Sequence, residues 1–256
     1  MNIKMSKITR AEVVAQKRER YARAGKPFRA ITKAARKLEA DLLIMATHGY
    51  SGLKHAFLGS TTERVIRDAP CPVLAVRGSE GKASGQTEQP VMIERIVLAT
   101  DFWDNSPTSF PLAQALALGF SARLTLLHVV KKFPIDAMLG HELTRATSKQ
   151  LMGQAKAQLM EVASGMRASG GPEPDSAVRF GKPFDEIARG AKQLNASLIV
   201  IATHGYTGLK HAYLGSVAER VVRTAPCPVL TVRHPEREFV LPDALVAGRK
   251  ELTRVS

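Results

Sequence analysis

The sequence predicts an α/β protein: a doubly wound, five-stranded parallel sheet, complete in residues 93–234 and partial in residues 1–78. Three observations predict it. Short runs that are apolar throughout, such as Leu198 to Thr203 (LIVIAT), alternate with stretches of helical spacing. Strands apolar on both faces need helices on both faces, which is the parallel α/β arrangement. Residues 40–78 and 196–234 are related by a gapless offset of 156 and are identical at 27 of 39 positions. Each copy carries the same Gly-rich loop between a strand and a helix.

In the second copy the elements read in order. Arg95 to Thr100 is a buried strand, short and β-branched. Ser106 to Gly119 has helical spacing, with Leu112, Ala115, Leu116 and Leu118 apolar. Ser121 to Val130 is a second strand. A long helical pattern runs from about Glu142 to Ser169 and stops at Gly170-Gly171-Pro172. Its Met152, Met160 and Met166 read as core filler. Ser176 to Phe180 is a short strand, and Pro183 to Leu194 is a helix with Pro in its first turn. Leu198 to Thr203 is a strand, Ser216 to Thr224 a helix, and Pro228 to Arg233 the last strand, with Cys227 packing at the start of an edge strand. Right-handed crossovers then give a doubly wound sheet.

The first copy is shorter. Gly25-Lys26-Pro27-Phe28 aligns with Gly181-Lys182-Pro183-Phe184, but only 24 residues precede it. It has no room for what the second copy builds from Arg95 to about Gly170. The predicted organisation is an incomplete domain over 1–78, a polar linker over 79–92, a complete domain over 93–234 and a tail over 235–256.

Composition narrows the function. The chain has 256 residues and 45 % hydrophobic residues, enough for a packed core. No stretch approaches the roughly 20 apolar residues of a membrane-spanning helix. The polar, basic start MNIKMSKITR is not expected to be a secretory signal, and two cysteines do not make a disulfide framework. A cytoplasmic location is expected, with no membrane partner. The net charge of +14 is concentrated early: residues 1–78 hold 16 Lys+Arg against 6 Asp+Glu. No aromatics interleave these cations and no helix-turn-helix or zinc-finger spacing is visible, so nucleic acid is not the expected partner.

Ligands of doubly wound sheets bind at the carboxyl ends of the strands, at the topological switch point. That rule selects Asp101 after the first strand, Val129-Val130 at the end of the second, and the Ala202–Gly215 loop. Glycines let the backbone approach a phosphate, and a helix start offers free N–H groups and a positive dipole end. Ser216 is an N-cap candidate whose hydroxyl can also donate to a phosphate oxygen. Asp101 can accept from a base amino group or a ribose hydroxyl.

On these residues the chain resembles the universal stress protein family. The resemblance rests on Leu98-Ala99-Thr100-Asp101-Phe102, Leu126-Leu127-His128-Val129-Val130, Thr203-His204-Gly205, Gly215-Ser216 and Ala225-Pro226-Cys227-Pro228-Val229-Leu230. It implies a Rossmann-like fold of the adenine nucleotide alpha hydrolase type. ATP-binding members carry the pattern G-x2-G-x9-G-(S/T). Gly205, Gly215 and Ser216 match it here, and Ala202 replaces the first Gly. The resemblance implies an ATP site, with Mg2+ or Mn2+ as accompanying ion. It assigns Asp101 and Val129, with Ala99 and Thr100 beside them, to the adenine and ribose side, and Gly205, Gly215, Ser216 and Val217, with Ala202, to the phosphates. It also implies pairing of last strands across a dimer interface. Pro72 to Arg77 and Pro228 to Arg233 could make that pair inside one chain, and a free edge in the first copy could recruit another chain.

The first copy keeps Ala46-Thr47-His48-Gly49 and Gly59-Ser60-Thr61 but has no counterpart of Asp101 or Val129. One site per chain is therefore expected. The function expected is nucleotide binding in a stress response rather than rapid catalysis, with slow ATP hydrolysis at most. The alternative is an interaction module that does not bind ATP and dimerises through its last strands. His204 with His211, and His48 with His55, lack the further ligands a metal site needs. Ser216 with His204 lacks a nucleophile elbow and an orienting acid. No P-loop and no dinucleotide fingerprint is present.

Overall fold

The computed structural model describes residues 25–47, 59–76, 92–102, 109–131, 141–203 and 215–233. Seven strands form one sheet: β1 (Leu43–Ala46), β2 (Val73–Val76), β3 (Arg95–Thr100), β4 (Arg123–Lys131), β5 (Asp175–Gly181), β6 (Leu198–Ala202) and β7 (Val229–Val232). Their spatial order is β1-β2-β7-β6-β3-β4-β5. The described helices are α1 (Pro27–Lys37), α2 (Ser60–Asp68), α3 (Phe110–Gly119), α4 (His141–Ala168), α5 (Pro183–Gln193) and α6 (Ser216–Thr224).

The five strands β5-β4-β3-β6-β7 are mutually parallel. Helices α3 and α4 pack Leu112, Ala113, Leu159 and Met166 on one face of them, against Ile96, Leu98, Leu126 and Val200. Helices α5 and α6 pack Ile187, Ala191, Val221 and Val222 on the other, against Val97, Ala99, Leu127 and Ile199. Both faces are covered, which is why the central strands β3 and β6 are apolar on both sides along most of their length. The fold is the expected doubly wound sheet, and the switch in strand order falls between β3 and β6.

The sheet continues past β7. Strand β2 pairs antiparallel with β7 in the register Val73↔Thr231, Leu74↔Leu230 and Ala75↔Val229. Under the repeat offset Val73, Leu74 and Ala75 correspond to Val229, Leu230 and Thr231, so the register maps onto itself. A pseudo-two-fold axis therefore passes through the Leu74–Leu230 pair. Thr231 Oγ1 reinforces the seam by donating to Val73 O at 3.1 Å, and Arg233 Nη1 donates to Arg67 O at 2.8 Å. The last strands meet within one chain, and the expected edge position of the strand after Cys227 is corrected: β7 is interior, flanked by β6 and β2.

Sequence repetition reproduces local geometry. Both α1 and α5 open on Pro at the first turn, where the missing N–H costs nothing. Both close on a left-handed residue at matching positions, Glu39 (φ 50) and Asn195 (φ 49). Ala40 N–H then reaches Ala35 O at 3.0 Å, and Ala196 N–H reaches Ala191 O at 2.8 Å, the bond that closes a helix by turning the chain back on its last carbonyls.

The copies differ in what covers them. Leu198 and Val200 on β6 are 3 % and 0 % exposed, under α3 and α4, whereas the corresponding Leu42 and Ile44 are 43 % and 65 % exposed. One side chain of the long helix departs from expectation: Met166 is buried, but Met160 is exposed and fills no core. Leu118 is likewise exposed on α3. The linker residues 79–91, the tail 235–256 and residues 106–108 of the expected helix lie outside the described residues.

Candidate functional site

The carboxyl ends of β3, β4 and β6 lie side by side. Thr100 pairs with His128 on β4, and Ala99 pairs with Ile201 on β6. Asp101 and Val129 therefore stand one residue beyond the Thr100–His128 pair, and Thr203 two beyond Ile201. Ala99, Thr100 and Val129 are buried, while Asp101 is exposed. This places an exposed acidic residue directly after a buried strand end. Ala202 ends β6, half-buried.

The start of α6 is tied directly to that strand. Thr203 N–H donates to Val232 O at 2.8 Å, and Gly215 N–H donates back to Thr203 O at 2.8 Å. The loop between them thus leaves and returns at one point. Glu219 N–H is the first to bond within the helix, to Gly215 O at 3.0 Å. The preceding N–H groups lie in the first turn, where intrahelical acceptors are lacking. Gly215, not Ser216, is the N-cap residue, and no side chain caps the helix. The capping expectation for Ser216 is corrected: it occupies the first helical position and is an exposed residue. Val217 behind it packs against the core. Gly205 lies outside the described residues, as do His204, His211, His48 and His55.

The first copy repeats this device atom for atom. Thr47 N–H donates to Val76 O at 2.9 Å, Gly59 N–H to Thr47 O at 3.0 Å, and Glu63 N–H to Gly59 O at 3.0 Å. Thr62 Oγ1 adds a bond to Ala46 O at 2.9 Å. Beside β1 the chain supplies no described strand equivalent to β3 or β4. Among the described residues the strand-to-helix connection occurs twice, and a neighbouring strand followed by a carboxylate, β3 with Asp101, once.

One residue at the site was not assigned a role from sequence. His128 precedes Val129, and its Nδ1 lies 2.9 Å from Thr100 O. A carbonyl only accepts, so Nδ1 carries the proton. The ring stacks on Phe102 with centroids 4.3 Å apart and planes at 26°. Phe102 is held in the left-handed region (φ 63), uncommon for a bulky residue, with its N–H on Thr100 Oγ1 at 3.2 Å. Burial lowers the His128 pKa below its ordinary value, opposed by the Thr100 carbonyl bond and the charge of Asp101. A neutral imidazole therefore anchors the chain on both sides of Asp101. The signal was available: His128 is the only ring nitrogen in the apolar run Leu124 to Val130.

Other candidates stay inert. Burial pushes the Cys227 thiol up to about 11, and burial, then the charge of Asp41, raises that of Cys71, so neither offers much thiolate at neutral pH. Among the described residues no group of three or more His, Cys, Asp or Glu could hold a metal ion, and no helix is long and apolar enough to cross a membrane.

These features define a class: a doubly wound α/β domain with a carboxylate after β3 and a helix start tied to the end of β6 at its switch point, its sheet continued by the repeated strands β1 and β2. The family model described as the Universal stress protein family matches residues 4–77 and 92–233. The chain belongs to the universal stress protein family. It is similar to universal stress protein MJ0531 of Methanocaldococcus jannaschii, at 33 % identity over 57 % of this chain and 86 % of that protein. Among solved structures it resembles the hypothetical protein MJ0577, with TM-score 0.51 and 25 % identity over 57 % of this chain and 99 % of that one. Another solved universal stress protein, 24 % identical with TM-score 0.40 over 54 % of this chain and 95 % of its own, is in complex with cAMP.

Proposed function

We infer that this protein binds ATP at a single site in its second copy and acts through binding rather than through rapid catalysis. The observation that supports it is the juxtaposition of Asp101 and Val129, at the ends of β3 and β4, with the Gly215–Ser216 helix start fastened to the end of β6. Asp101 accepts from the ribose or the adenine amino group. Val129, on the floor formed with Ala99 and Thr100, packs against the base. The N–H groups of Ser216 and Val217, the Ser216 hydroxyl and the backbone of Gly205 donate to phosphate oxygens. These residues suit a nucleotide in charge: the helix dipole and free N–H groups attract the phosphates, and the carboxylate belongs to a different strand end, that of β3. Ala202 adds one methyl where the family's ATP-binding pattern has Gly. A divalent ion, Mg2+ or Mn2+, would be held through the phosphates, since the described residues offer no metal cluster of their own. Among the described residues at the site, Asp101 is assigned to binding and His128 to holding the chain around it, so slow hydrolysis at most is expected.

Mass spectrometry of the ligand released from freshly purified protein tests this reading. An adenine nucleotide at up to one per chain is expected. Protein that carries none, and whose melting temperature does not move when ATP is added, contradicts it, because a ligand bound only by the folded state must stabilise it. Asp101→Ala is expected to weaken binding; loss of turnover with binding intact would instead make Asp101 catalytic.

A further inference from the structure

The two copies share a scaffold but not a surface. On α5, Asp185 and Glu186 bridge Arg189 at 3.0 and 3.1 Å, and Glu186 also holds Arg179 at 2.8 Å. At the corresponding positions α1 has Arg29 and Ala30, and no acidic residue is left on that helix. Arg29, Lys33, Arg36 and Lys37 fall within an arc of about 100° and span about 12 Å along the axis, with Lys26 just before the first turn. All five are exposed. Thr32 and Ala35 are buried on the opposite side of the helix, and Phe28 and Ile31 pack on the core. Arg64 on α2 extends the patch: its guanidinium lies 5.1 Å from the centre of the Phe28 ring, which Arg29 also approaches at 5.8 Å. Arg36 donates to Asp68 O at 3.1 Å, which fixes it against α2.

We propose that this basic ridge, Lys26–Arg29–Lys33–Arg36–Lys37 with Arg64, is a docking surface for the phosphate backbone of double-stranded nucleic acid, bound without regard to sequence. Its occupant follows from charge and shape. A straight row of cations with no interleaved acid suits a regular row of phosphates, and their neutralisation releases counterions. A bilayer surface would need apolar side chains on the same arc, whereas those of α1 face the core. A single strand would need aromatic platforms, whereas the Phe28 ring is covered by two guanidinia. The position is a surface position of the fold itself, because Lys182 and Lys192 are exposed on α5 even though the sheet there is complete. The proposal departs from the expectation drawn from composition because the cations of α1 share one exposed face.

The test is the mobility of the full chain with a labelled duplex of about 20 base pairs over a salt series. Wild type is expected to bind at about 50 mM salt, with log K falling against log[salt] at a slope of about −4, as for four or five neutralised phosphates. The variant R29D/A30E/K37Q gives α1 the residues that α5 already carries at those positions, so the scaffold accommodates them. It is expected to lose at least tenfold in affinity. A second variant, K26Q/K33Q, is expected to reduce the slope by about two. The proposal is overturned if wild type leaves the duplex unshifted at low salt, if both variants bind like wild type, or if the protein binds phosphatidylserine vesicles but not the duplex.

Discussion

At the residue scale, the site depends on groups whose roles can be separated. Ser216 makes no capping bond, so Ser216→Ala should leave stability within about 0.5 kcal/mol of wild type. It should weaken ATP by about 2 kcal/mol, one hydrogen bond to a charged acceptor. A denaturation curve and a binding isotherm on the same variant check both halves. His128 has the opposite character. Its pKa is lowered in the folded state, so the unfolded chain takes up the proton first as pH falls. The stability it contributes is present above about 6.5 and declines as pH drops below that value toward the folded pKa. Denaturant midpoints measured at about pH 7.5 and about pH 5.5 should show this decline, and His128→Phe should flatten it. The positions of Asp101 after β3, Val129 near the end of β4 and Gly215-Ser216 at the opening of α6 were legible in the sequence. His128 was not assigned, because a polar residue in a strand reveals its partner only when the neighbouring strand is in register. The cap was misread because Gly and Ser are both good candidates there, and only the backbone bonds from Thr203 to Gly215 and from Gly215 to Glu219 decide between them.

At the element scale, the repeat is an internal control for burial. Val200 and Ile44 occupy the same position of the same strand, yet one is fully buried and the other largely exposed. Val200→Ala should cost about 2 kcal/mol through lost packing, and Ile44→Ala less than about 0.5 kcal/mol. Comparable losses of urea midpoint for the two would mean that something covers β1. Strand β3 matched its sequence reading residue for residue, because an apolar β-branched run ended by Asp leaves no alternative. Helix α4 was legible in extent but not in rotation. Met160 and Met166 both suit a core by composition, and only the helix's placement over β4 and β5 turns one outward.

At the scale of the whole molecule, a pseudo-two-fold axis through Leu74 and Leu230 joins two unequal halves into one seven-stranded sheet. The duplication was visible as a gapless repeat ending in PVLAVR and PVLTVR, and the pairing of those last strands was implied by the family resemblance. The one-face arrangement of cations on α1 was not, because it depends on which side of the helix meets the core. The asymmetry underlies the proposed function: two helix starts of the same construction, with β3 and its following Asp101 beside only the second of them among the described residues. Titration calorimetry with ATP measures it directly on wild type, Gly215→Glu and Gly59→Glu, since the added carboxylate repels phosphate at whichever helix start it occupies. The account predicts one ATP per chain, abolished by Gly215→Glu and unchanged by Gly59→Glu. Two sites per chain, or binding lost through Gly59→Glu and retained in Gly215→Glu, would contradict it.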